Sequence, residues 1–192
     1  MTKKIFLIFF FILFTSTTQA KQMAGVQIVE QVTIAGKNLT LNGAGIRTKF
    51  VFDIYVAAFY TAVPVKNISQ ISDDTQPMRM AMHFVYDEVS KEKLTDGWND
   101  GFEDNLSSAQ LEKLKFRIKL FNGMFETVKK GDVILLDYLP GKGTAVTING
   151  KNKGVVTNFE FYQALLMIWL GSDPVGDDLK DALLGKVASN DD

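Results

Sequence analysis

The segment Leu41-Asn42-Gly43-Ala44-Gly45-Ile46-Arg47 runs into Phe50-Val51-Phe52-Asp53-Ile54-Tyr55-Val56-Ala57-Ala58-Phe59-Tyr60, a density of β-branched and aromatic residues that commits this part of the chain to a sheet. Such side chains need cover on at least one face, so the rest of the chain must supply a layer to pack against them. One arginine stands at the edge of this apolar run. A guanidinium cannot deprotonate and presents a planar fork of donors, so beside apolar walls it suits a carboxylate, an enolate or a phenolate. Arg47 is therefore a candidate anion-binding residue. The plainer alternative is an ion pair with an acid such as Asp53 on a sheet surface.

Around this run the pattern reads as strands, then helices, then strands again. Val26 to Ile34 and Leu39 to Leu41 are strand-like, with turns expected at Gly36-Lys37-Asn38 and at Asn42-Gly43. Met78 to Tyr86 forms a further strand, whose period of two puts Met78, Met80, Met82 and Phe84 on one buried face. Leu94, Trp98, Phe102 and Leu106 recur every four residues, as on a helix. Ser107 with Gln110 makes a capping box for a second helix bearing Leu111, Leu114, Ile118 and Phe121.

Asp132 to Tyr138, Thr144 to Ile148 and the segment after Asn149-Gly150 predict a β-meander. Thr157 and Glu160 are expected to cap a helix over 158–170 that is apolar nearly all round and so needs cover on several sides. Asp173-Pro174 is expected to start a last amphipathic helix carrying Leu179, Leu183 and Leu184 and closed by Gly185, and 188–192 reads as a disordered tail. The sum is an α+β fold, an antiparallel sheet with helices segregated to one side.

The first twenty residues read as a secretory signal peptide. Lys3 and Lys4 precede the apolar run Ile5 to Phe14, and Thr18-Gln19-Ala20 offers small residues for cleavage. Ten apolar residues are too few to span a bilayer, and no later run is long enough either. The reading is an exported protein with a periplasmic-type destination and one domain over 21–187. Without Met1 to Ala20 the chain carries 19 basic and 22 acidic residues, a balance that does not favour nucleic acid. With no cysteine, disulfides, thiolate metal sites and cysteine nucleophiles are excluded.

Other motifs reduce to plain readings. His83 sits in a strand with no motif around it, so a serine triad would rest on it alone, and no serine lies in a nucleophile elbow. Asp96, Asp100 and Asp104 form an i, i+4, i+8 row, the pattern of a solvated helix face. Gly43-x-Gly45 lacks the third glycine of a dinucleotide fingerprint, because Thr48 occupies that position. No cofactor or metal is expected.

Three blocks, Gly43-Ala44-Gly45-Ile46-Arg47, Tyr55-Val56-Ala57-Ala58-Phe59-Tyr60, and Phe161 to Gly171 followed by Leu179 to Gly185, occur in an order and spacing that resembles the bacterial chalcone isomerase-like proteins, over roughly residues 24–187. The resemblance implies an open-faced β-sandwich, a large antiparallel sheet backed by helices with a ligand cleft between them. It also implies three possible classes: isomerases that close a chalcone ring by adding a phenolate to an enone, fatty-acid binders, and non-catalytic relatives. The arginine that orients the anionic ligand would fall on Arg47. A neighbouring position, Thr in the isomerases and Tyr in the fatty-acid binders, would fall on Tyr55. The isomerases' further polar groups would fall near Lys91, near Gly97 or Trp98, and near Leu166 or Met167, and none is matched.

One geometric condition attaches to this reading. On a straight strand Arg47 and Tyr55 would stand about 26 Å apart at about 3.3 Å per residue. A reversal near Val51-Phe52-Asp53 is required, although no strong turn dipeptide marks it. The expected function is non-catalytic binding of a fatty acid or similar amphiphilic or aromatic anion, with Arg47 as anchor and Tyr55 as second donor. An isomerase of chalcone-like enones, with Arg47 stabilising developing charge, and an envelope interaction module with an unknown protein partner are the alternatives.

Overall fold

A computed structural model describes residues 20–186 of the chain. The expected signal peptide, apart from Ala20, and the 188–192 tail lie outside the described residues. Among the described residues eleven strands and four α-helices follow one another. They are β1 Ala20–Met23, β2 Val26–Val29, β3 Gln31–Ile34, β4 Lys37–Lys49, β5 Phe52–Thr61, β6 Met78–Phe84, β7 Glu88–Val89, α1 Lys91–Asn105, α2 Ser108–Asn122, β8 Val128–Lys129, β9 Val133–Leu139, β10 Gly143–Ile148, β11 Lys151–Val156, α3 Phe159–Leu170 and α4 Asp177–Leu183. Seven strands form one antiparallel sheet in the order β11-β10-β9-β6-β5-β4-β3, and the helices pack on one of its faces. The α+β architecture expected from the sequence is the one observed.

The pleat sorts side chains between two clusters. Tyr55, Ala57 and Phe59 of β5 share the helix face with Met78, Met80, Met82 and Phe84 of β6 and with Ile134, Leu136 and Tyr138 of β9. The methionine row is thus buried core, as period two requires. α3 supplies the centre of that layer. Eight of its residues, among them Phe161, Leu165 and Trp169, are buried, because β-strands, α1 and α4 surround it. The opposite face carries Val56, Ala58, Tyr60 and Ala81, covered over β3, β4 and β5 by the β1–β2 hairpin through Ile28. The Tyr60 hydroxyl donates to the Val29 carbonyl at 3.0 Å and fastens that hairpin to the sheet.

Several local expectations give way to tertiary structure. Asn42-Gly43 is not a turn: β4 continues through it with a register shift between Leu41 and Gly43. Asn42 bonds the Val65 backbone in both directions and donates to the Leu183 carbonyl, so its turn-forming side chain is used across the fold. The preceding reversal falls at Ala35-Gly36, with Ile34 opposite Lys37. Val26 to Ile34 is split at Glu30 into β2 and β3, because β2 leaves the large sheet to pair with β1. The α3 cap is Asn158, which accepts from the Glu160 amide, in place of Thr157. α4 begins at Asp177 and not at Asp173-Pro174, since the 3.0 Å bond from the Asp173 amide to Asn105 and the Val175 bond to Ile168 hold the intervening segment to α1 and α3.

The capping box of Ser107 and Gln110 forms as expected. So does the meander β9-β10-β11, with Asn149 and Gly150 both at positive φ in its second turn.

Candidate functional site

The reversal that the sequence required is a two-residue turn at Phe50-Val51, flanked by the pair Lys49 and Phe52. It folds β5 back on β4 so that Arg47 and Tyr55 are direct cross-strand partners on the helix face. Opposed residues of this kind have Cβ atoms about 5 Å apart. Phe50 adopts φ +57° there, a conformation in which Gly is favoured, so no turn dipeptide announced the reversal.

Gly43 and Gly45 precede Arg47 on the same face and explain where its side chain emerges. A Cβ on Gly45 would sit 2.8 Å from Ala182 Cβ and 2.9 Å from Leu179 Cδ1, and one on Gly43 would collide with the Ala182 carbonyl oxygen. The two glycines let α4 lie directly on β4. α4 starts at Asp177, with Gly176 as its first cap, and the Arg47 guanidinium comes out beside Gly176 at that end.

Here a cleft of about 660 Å³ opens between the sheet and α1, within the usual size range for small-molecule sites. Its floor is Tyr55, Met82 and Phe84. Leu94, Gly97 and Trp98 of α1 form one wall, Ile168 of α3 and Val175 close the inner side, and Phe50, Phe52 and Tyr86 stand at the mouth. Charged groups ring the opening: Arg47, Lys49 and Lys93, with Glu88, Asp96 and Asp100. A second recess of about 570 Å³ between α2, α3 and the 68–72 segment has no cation in its lining.

Arg47 is half-buried and, among the described residues, forms no ion pair. Its one hydrogen bond donates to the neighbouring Thr48 carbonyl at 2.6 Å. The plain alternative of pairing with Asp53 does not occur, because Asp53 accepts from the Thr48 hydroxyl at 2.9 Å. Arg79 shows the contrast. On the other sheet face it holds Asp137 with two bonds of 2.6 Å, so its fork is fully engaged inside the fold.

Tyr55 is buried, and its hydroxyl accepts the Trp169 indole N–H at 3.0 Å. Among the described residues that hydroxyl proton has no acceptor. Burial raises the phenol to about pKa 12, against the smaller opposing effects of the Trp169 bond and the Arg47 charge, so at neutral pH it is a neutral donor. Trp169 is a positioning group that sequence reasoning missed, although a buried indole N–H usually finds a partner. Trp98 is buried in the core, where it packs on Phe121, Phe125 and Trp169 while also walling the cleft. The mouth residues Lys49, Phe50 and Lys93 carried no signal of their own.

His83 is half-buried on the opposite sheet face between Val56 and Val133, away from the cleft. Asp96, Asp100 and Asp104 are exposed, and no three His, Asp or Glu groups gather to hold a metal among the described residues. No helix among them is long and apolar enough to cross a membrane.

A family model described as chalcone isomerase-like matches residues 20–185. The chain belongs to the chalcone isomerase-like family. No curated protein matches it. Among solved structures, a fatty-acid-binding protein of Arabidopsis thaliana is similar, with a TM-score of 0.63 at 16% sequence identity, covering 86% of this chain and 95% of that one. At that identity the likeness is one of fold, and it agrees with the open-faced arrangement of a curled sheet backed by helices. Of the positions where the resemblance would put the isomerases' further polar groups, Gly97 and Trp98 line the cleft of this chalcone isomerase-like chain. Leu166 is core, and Met167 lines the second recess.

Proposed function

We propose that this chain is an exported, non-catalytic chalcone isomerase-like protein that binds a fatty acid or similar amphiphilic carboxylate. The carboxylate is held by the Arg47 fork and by the Tyr55 hydroxyl, and the tail lies along Met82, Phe84, Leu94, Trp98 and Ile168. The observation that carries this reading is the guanidinium of Arg47, free of any acid, at the mouth of an apolar cleft beside an unspent phenol donor. The fatty-acid-binding neighbour supports it as a shared fold. Binding without turnover fits a cleft whose floor and inner wall are apolar at Met82, Phe84, Leu94, Trp98 and Ile168, with the carboxylates Glu88, Asp96 and Asp100 set around the opening.

Native mass spectrometry of protein purified from its exporting host, wild type beside Arg47→Ala, tests the reading. A lipid-sized adduct on the wild type that is lost from the folded variant is expected. A bare protein in both, or an adduct that survives the substitution, overturns it.

A further inference from the structure

The β4–β5 turn projects the most exposed apolar side chains at the cleft mouth: Phe50 is 90% exposed, Val51 83% and Phe52 52%. Phe50 is also held at φ +57°, where an L side chain is disfavoured and Gly would relieve the turn. Neither burial nor turn formation accounts for an aromatic residue at this position.

Its surroundings indicate a surface that would accept it. On the hairpin Lys49 adjoins the turn and Arg47 lies three residues before Phe50, while Asp53 is engaged by Thr48; across the mouth Lys93 shares the rim with Asp96, Asp100 and Glu88, the last of which pairs with Lys129. Apolar rings set ahead of a hairpin whose unpaired charges are cationic match a lipid interface, where rings enter the boundary beneath the headgroups and cations stay with the phosphates. A two-residue turn is too narrow for the area of about 800 Å² per partner that a stable protein interface buries. Phe50 and Phe52 belong to the turn and to the cleft lining alike, so a surface that receives the turn also meets the cleft.

We propose that the Phe50-Val51-Phe52 turn docks on a lipid surface bearing anionic headgroups, with the cleft opening onto that surface. The docking is independent of which ligand the cleft holds.

Because the chain has no cysteine, a single Val51→Cys substitution accepts one environment-sensitive fluorophore. Val63→Cys, 64% exposed beyond the far end of β5, provides the same label away from the turn. The labelled chains, purified from the exporting host as exported, are mixed with vesicles of phosphatidylcholine and phosphatidylglycerol in equal parts, and with phosphatidylcholine alone. The expected result is a blue shift and brightening at position 51 on the anionic vesicles, absent at 63, reduced on phosphatidylcholine, and removed by adding Phe50→Ser or Lys49→Glu. Equal changes at both positions would mean tethering by another part of the chain and overturn the proposal. No change at 51, a change insensitive to both substitutions, or a shift that grows with protein concentration without vesicles would do the same.

Discussion

Arg47 and Tyr55 stand opposite one another across the β4–β5 hairpin, and only one of them is held by the fold: Trp169 fixes the Tyr55 hydroxyl while the Arg47 guanidinium reaches no side chain acceptor among the described residues. A pinned neutral donor beside an unspent cation is an arrangement prepared for an anion.

The substitution Arg47→Ala should weaken binding of a fluorescent fatty acid by about 1.5 to 3 kcal/mol, the worth of a charge-assisted hydrogen bond. Melting should change little, because the side chain is half-buried and unpaired. Arg47→Lys keeps the charge without the fork and should fall between the two. Displacement titrations that give one affinity for all three proteins would remove Arg47 from the site.

Replacing Tyr55 by Phe separates two roles. The ligand loses one neutral hydrogen bond, about 0.5 to 1.5 kcal/mol, and the buried Trp169 N–H loses its acceptor, costing about 1 to 3 kcal/mol of stability. Since burial puts the phenol at about pKa 12, affinity through Tyr55 should stay level up to about pH 10. Reduced chemical stability with unchanged affinity would make Tyr55 purely structural.

Glycines predict opposite signs at different sites. Gly45→Ala drives a Cβ to within 3 Å of Ala182 and Leu179 and should destabilise by about 1 to 3 kcal/mol by lifting α4 off β4. Gly97→Ala, on exposed helix surface with no atom within 4 Å of the new Cβ, should stabilise by up to about 1 kcal/mol. Urea unfolding of both variants checks the pair, and a neutral Gly45→Ala would refute the close approach of helix and strand.

Burial lowers the pKa of His83 below its ordinary 6.5. The unfolded chain then takes up a proton at higher pH than the folded one, so this group's contribution to stability is full above about pH 6.5 and is lost as pH falls below it. The slope from one such group is at most about 1.4 kcal/mol per pH unit. Melting curves from pH 7.5 to 5 should therefore decline in the wild type and decline less in His83→Gln. Parallel profiles would show that His83 does not contribute.

Much of the fold was legible because it rests on local repetition. The methionine row of β6, the four-residue spacing of Leu94, Trp98 and Phe102, and the Ser107 capping box are each written within a dozen residues. Asn42-Gly43 reads locally as a turn, yet the Asn42 side chain answers to Val65 and Leu183, which are remote in sequence. The turn at Phe50-Val51 was demanded by the distance between Arg47 and Tyr55, yet its residues carry no turn chemistry.

From the sequence alone came the α+β class, the family resemblance, and the choice of Arg47 and Tyr55 as candidates, since residue type and spacing are properties of the chain itself. Only the tertiary structure decided that the two residues meet, that Gly43 and Gly45 serve the packing of α4, that Trp169 orients Tyr55, and that Arg47 lacks an acid while Arg79 has one. Whether a polar group is spent or free depends on partners up to 141 positions away, and no local pattern encodes where those partners arrive.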